Sequence, residues 1–86
     1  VKQSWTAQAK GWAIQIGAFQ NKAQSINALR QAVAALPRDF AAATPVVAPV
    51  LQASGLPLYR ARLRGYNATE AYTACNFLKD CMTIAP

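Results

Sequence analysis

The chain has no histidine and only three acidic residues among its 86, with one methionine and four glycines. Each scarcity closes a class of chemistry. Without histidine, Ser4, Ser25 and Ser54 have no general base, and no Ser-His-Asp constellation can form. The acids are scattered: Asp39 falls in a connection, Glu70 in a helix-capping position and Asp80 at a helix end. They supply no paired carboxylates for glycoside hydrolysis. No glycine-rich phosphate loop is present. Two cysteines, Cys75 and Cys81, cannot build an ordinary closed zinc site without histidine, and they are not a CxxC redox pair. The expectation is therefore no catalytic residue, no metal and no cofactor. No window approaches the ~18 uninterrupted apolar residues of a membrane span, so no membrane insertion by this segment is expected.

What is present suits one small domain. At this size a fold buries roughly 60–65% of its unfolded surface, and an apolar fraction of 53% is enough for a packed core. Nine Lys/Arg against three Asp/Glu give a net charge of +6. That balance suits an anionic partner, whether nucleic acid, an anionic membrane surface or a cell-envelope polymer. It also suits plain solubility. The chain starts at Val1 and shows no signal-peptide pattern, so a fragment or processed form is expected.

The chain repeats itself once, at an offset of 47 residues. Trp12-Ala13-Ile14-Gln15-Ile16 returns as Tyr59-Arg60-Ala61-Arg62-Leu63, and Phe19 returns as Tyr66. Each aromatic precedes a helix start of the same kind, Asn21 with Gln24 and Asn67 with Glu70. An internal repeat signals a supersecondary unit used twice, and the unit reads strand, helix, strand. Residues 1–11 are polar and aperiodic and read as a linker, in which Trp5 is the one side chain that could dock.

From Trp12 to Ile16 the pattern alternates, placing Trp12, Ile14 and Ile16 on one side of a half-buried strand. Asn21 and Gln24 have capping-box spacing. Ile26, Leu29, Val33 and Leu36 follow at helical spacing, up to Pro37. Arg38 to Pro45 reads as a connection. Val46 to Ala53 reads as a second strand, which Pro49 confines to an edge. Leu58 to Arg64 alternates again: Tyr59, Ala61 and Leu63 face the core, while Arg60, Arg62 and Arg64 face away. Asn67 and Glu70 cap a second helix with a buried stripe of Ala71, Ala74, Cys75 and Leu78, and Met82 to Ala85 forms a last strand.

The order predicts an α+β fold of the ferredoxin-like, RNP-like βαβ-βαβ kind. Its four-stranded antiparallel sheet carries two helices on one face. The first and third strands lie together in the middle, which makes Gln15 a neighbour of Arg60 and Arg62 on the uncovered face. Gln15 offers donors and an acceptor suited to sugar hydroxyls and amides. The arginines form a basic stripe of about 7 Å per step. A solvated face would also carry such residues. The cysteines read either as a bridge tying the second helix to the last strand, as two buried free thiols, or as an intermolecular pair.

These residues resemble a SPOR domain, the peptidoglycan-binding module of bacterial envelope proteins. The resemblance covers roughly Gly11 to Pro86. Trp12 to Phe19 is similar to that family's opening strand, with its Gln and Gly-x-Phe, and Leu58 to Leu63 is similar to its third strand. Ala74-Cys75, Leu78-Lys79 and Cys81 are similar to its second helix and the approach to its last strand. This chain has Arg64-Gly65-Tyr66 where many members have Gly-Pro-Phe. The resemblance implies binding of glycan strands stripped of their stem peptides, with Gln15, Arg60 and Arg62, and also Arg64 and Tyr66, along the groove. The spacing of Cys75 and Cys81 is shorter than that family leads one to expect, and a disulfide between them is the expected pairing. The resemblance also implies a monomeric, non-catalytic module that targets a larger envelope or division protein to the wall or septum. The location would be the periplasm or cell envelope of a Gram-negative bacterium. Two alternatives remain. One is a protein-interaction domain using the Val46 to Leu51 edge. The other is an RNA-binding domain, which the missing recognition signature and outward aromatics disfavour, so that no nucleic-acid partner is expected.

Overall fold

The structure, a computed structural model, describes residues 10–86. The expected linker over residues 1–11 and the docking of Trp5 fall, for residues 1–9, outside the described residues. Strand β1 runs Trp12–Phe19, helix α1 Lys22–Ala35, and a short helix α2 Arg38–Ala41. Strand β2 (Thr44–Leu51) and strand β3 (Pro57–Tyr66) form a hairpin, followed by helix α3 (Ala68–Cys75) and strand β4 (Met82–Ile84). The sheet order is β2-β3-β1-β4 and every pairing is antiparallel. The two repeats thus supply the two central strands, as the ferredoxin-like reading requires.

Alternation decides what each central strand buries. Ile14, Ala61 and Leu63 are fully buried and meet Leu29 of α1, Leu36 at its C-cap, and Ala71 and Ala74 of α3. Trp12, Ile16 and Phe19 pack against the same core, on the side predicted for Trp12 and Ile16. The helices cover only this face.

The caps act as the residue types dictate. The Asn21 side chain accepts from the Gln24 backbone N–H at 2.8 Å. At α3 the box is closed in both directions: Glu70 N–H donates to Asn67 Oδ1 at 2.8 Å, and Asn67 N–H donates to Glu70 Oε1 at 2.9 Å. Helix α1 stops where the Leu36 N–H reaches back to Ala32 and Val33, one residue before Pro37.

Three features depart from expectation. The stretch after Pro37 is helical, because Phe40 and Ala41 donate to the Pro37 carbonyl and Phe40 packs on the core near Tyr66 and Phe77. Helix α1 is also rotated relative to its apolar spacing. Ser25, Leu29, Ala32 and Leu36 are buried, while Ile26 is exposed. Ser25 and Ala32 are small enough for the helix to approach the sheet, and Ser25 Oγ donates to the Tyr59 carbonyl at 2.8 Å, which satisfies the hydroxyl. Finally, α3 ends at Cys75, and Asn76, Phe77 and Leu78 continue through i→i−3 hydrogen bonds. Leu78 still packs against the core.

Two irregularities reshape the central pair. A bulge between Gln15 and Gly17 moves the register, so that Gly17 opposes Ala61 and Ala18 opposes Arg60. A second shift, between Trp12 and Ala13, leaves Gly65 unpaired at φ +106°, a conformation that favours glycine.

Candidate functional site

The face opposite the helices is open, and its centre is a pair. Gln15 and Arg62 are cross-strand partners, and Arg62 Nε donates to Gln15 Oε1 at 3.0 Å. Arginine has no acceptor, so Gln15 must present its carbonyl oxygen and keeps its NH2 group for another partner. The contact orients the guanidinium without neutralising it.

A groove of about 300 Å3 crosses the sheet beside this pair. All four strands line it: Ala13 from β1, Val46 and Ala48 from β2, Arg62 and Arg64 from β3, and Ile84 from β4. Gly11, Ala85 and Pro86 complete the lining. Its floor is small and apolar and its charges are two arginines. Such a surface can receive the C–H face of a sugar while donors grip polar groups at its edge.

The structure thus brings Gln15, Arg62 and Arg64 together on one face. Arg60 is also on this face, opposite Ala18 and the groove-lining Ala48, but it does not itself line the groove. Tyr66 is a correction. It is 3% exposed, and its hydroxyl donates to the Phe40 carbonyl at 2.6 Å, so it fastens β3 to α2 and offers a ligand no surface. Simple alternation from Arg60, Arg62 and Arg64 points it outward; the extra residue Gly65 turns it inward. Sequence reasoning missed Val46, Ala48 and Ile84. The outward parity of β2 was the available signal for the first two.

A larger apolar cleft, about 450 Å3, lies between α1 and β2 and is lined by Ile26, Leu29, Arg30, Val33, Pro45 and Val47. Arg30 is its single charged residue, and no set of polar groups converges on it.

Among solved structures, the SPOR domain of RlpA from Pseudomonas aeruginosa is similar to this chain with a TM-score of 0.65. The match covers 88% of this chain and 100% of that domain at 22% sequence identity. The fold is that of a SPOR domain. No family model and no curated protein matches the sequence.

In this SPOR fold the flanking chemistry is structural. A disulfide joins Cys75, at the end of α3, to Cys81, just before β4, with Cα atoms 5.2 Å apart. It anchors the strand that carries Ile84 to the groove. Lys10 pairs with the Glu70 carboxylate. That hydrogen bond, with the one from the Asn67 backbone, holds the Glu70 carboxyl below its ordinary range. Burial, reinforced by the negative charge of Glu70, pushes the Tyr66 phenol up to about 12. No His/Cys/Asp/Glu cluster able to hold a metal occurs among the described residues, and no described helix is long and apolar enough to cross a membrane.

Proposed function

We propose that this chain is a non-catalytic peptidoglycan-binding module that recognises glycan strands lacking stem peptides. The observation that carries the reading is the open sheet face. It has a groove spanning four strands, a small apolar floor, and polar grip from Gln15, Arg62 and Arg64. The SPOR fold supports it, as does the absence of acids from the groove lining. Arg62 and Gln15 position the sugars, and the floor receives their apolar faces. The module works as a monomer that carries a larger envelope or division-related protein to the wall, at the septum. Its location is the periplasm or cell envelope of a Gram-negative bacterium, where the Cys75–Cys81 bridge is stable.

Two observations weigh against the other readings. The outward positions of the central strands hold Ala13, Gln15, Ala18, Arg60, Arg62 and Arg64, with no aromatic on which a base could stack. The β2 edge contains Pro45 and Pro49, four residues apart and so of the same parity. Proline has no N–H, so within the β2–β3 ladder its nitrogen must face the free edge, which then lacks two of its donors for an added strand and keeps those of Val47 and Leu51.

Co-sedimentation with purified sacculi, before and after an amidase removes the stem peptides, tests the proposal. Stronger pull-down by the stripped material is expected. No sedimentation with either form overturns it.

A further inference from the structure

We infer that Arg64, with Arg62 beside it, forms a carboxylate-binding subsite, and that its ligand group is the lactyl carboxylate set free when a stem peptide is removed. The inference rests on the glycan reading above and adds the group within the glycan that is recognised. Alternate residues of one strand point the same way about 7 Å apart, so two guanidinium groups share the groove. None of the chain's three acids lines this groove; Asp39 and Glu70 line a neighbouring cavity with Arg64 but form no ion pair with it. Asp39 sits in α2, Glu70 in α3 against Lys10, and Asp80 in the loop before β4. Arg62 is oriented by a neutral amide, and its charge is uncompensated. Arg64 is exposed and makes no side-chain hydrogen bond among the described residues. Its strand neighbours are Ala13 and Thr44.

Neutral sugar hydroxyls can accept hydrogen bonds from the two guanidinium groups, but they leave both like charges uncompensated. An anion is the ligand group that compensates them, and a planar carboxylate matches the guanidinium fork. Along a peptidoglycan glycan, the lactyl group of alternate sugars carries its carboxyl as an amide while the stem peptide is attached. Amide hydrolysis adds water, breaks the C–N bond and leaves a carboxylate on the sugar and an amine on the peptide. The subsite would thus prefer stripped strands by charge and not only by the bulk removed.

The test uses the protein with amidase-stripped glycan strands and the same strands after carbodiimide coupling to methylamine, which turns each carboxylate into a neutral amide. Wild type is expected to bind the amidated strands at least ~10-fold more weakly, on the order of one charge-assisted contact. Arg64→Gln is expected to bind both preparations equally weakly, and Arg64→Lys to recover part of the difference. Circular dichroism should show all variants folded, since Arg64 is exposed. Equal wild-type binding to both preparations overturns the carboxylate subsite and leaves the glycan reading standing. An undiminished difference in Arg64→Gln overturns the assignment to Arg64. No binding of either preparation overturns subsite and glycan reading together.

Discussion

Gln15 and Arg62 occupy equivalent places in the two repeats, 47 residues apart, and pair with each other through a 3.0 Å hydrogen bond. An antiparallel pair formed by two copies of one unit has an approximate two-fold axis, and here it passes through this contact. Gln15→Ala should lower affinity for stripped glycan about 5-fold, near 1 kcal/mol, and change unfolding free energy by less than about 1 kcal/mol. Arg62→Glu should abolish measurable binding in a fold of unchanged circular dichroism. Calorimetric titration and urea unfolding check both. Unchanged affinity in both variants would remove the pair from the site.

The parts legible in the sequence were those written in local pattern. Alternation marked β1 and β3, and the Asn67–Glu70 spacing marked the start of α3. The rotation of α1 was not legible, because Ile26, Leu29, Val33 and Leu36 make as good a helical stripe as the observed Ser25, Leu29, Ala32 and Leu36. What decides between them is a carbonyl 34 residues away, that of Tyr59. The two register shifts were equally hidden. One changes the β1 residue opposite Arg60 from Gly17 to Ala18 and the other turns Tyr66 into the core, so strict alternation gives the facing of Gln15, Arg60, Arg62 and Arg64 and misses that of Tyr66.

Gly65 and Gly17 should resist substitution for different reasons. Gly65 holds φ +106° with open space around it, so Gly65→Ala is costly through backbone strain, about 1–3 kcal/mol. At Gly17 an added Cβ would sit 2.8 Å from the Phe19 ring, so Gly17→Ala must displace a ring packed on the core. Both variants should melt several degrees lower. A Phe19→Leu change should relieve part of the cost of Gly17→Ala and none of that of Gly65→Ala. Equal relief would show that the two positions fail for a common reason.

The Cys75–Cys81 bridge closes a loop with a sequence separation of 6, for which chain entropy predicts about 2 kcal/mol of stabilisation. Replacing both cysteines with serine should lower the melting temperature by roughly 10 °C in a domain of this size. The loss should be uneven. Strand β4 has three residues and pairs only with β1, so the amides of Thr83 and Ile84 should exchange faster well before those of the β1–β3 pair. Hydrogen exchange by NMR reads this directly. A uniform rise across the sheet would mean that the bridge stabilises the domain as a whole and does not hold β4 locally.

Glu70 makes stability depend on acid. Its folded-state pKa lies below the ordinary value of 4.5, chiefly because of the Lys10 hydrogen bond and then the Asn67 backbone. A carboxyl with a depressed folded pKa contributes its full stabilisation above the unfolded value. It loses that contribution as pH falls through the folded one. The contribution should therefore be present at pH 6 and decay below about pH 4.5. Much of the group is in contact with solvent, so the size should be modest and should shrink further at high salt. Glu70→Gln keeps an acceptor for the Asn67 N–H and removes the charge. It should lower the melting temperature slightly at pH 6, and its curve should approach wild type as pH falls through the depressed folded-state pKa. Lys10→Met should produce part of the same loss, because it leaves the helix cap intact. If the gap between wild type and Glu70→Gln stays constant from pH 6 to pH 3, the carboxylate charge contributes nothing to folding, and the cap acts through its hydrogen bonds alone.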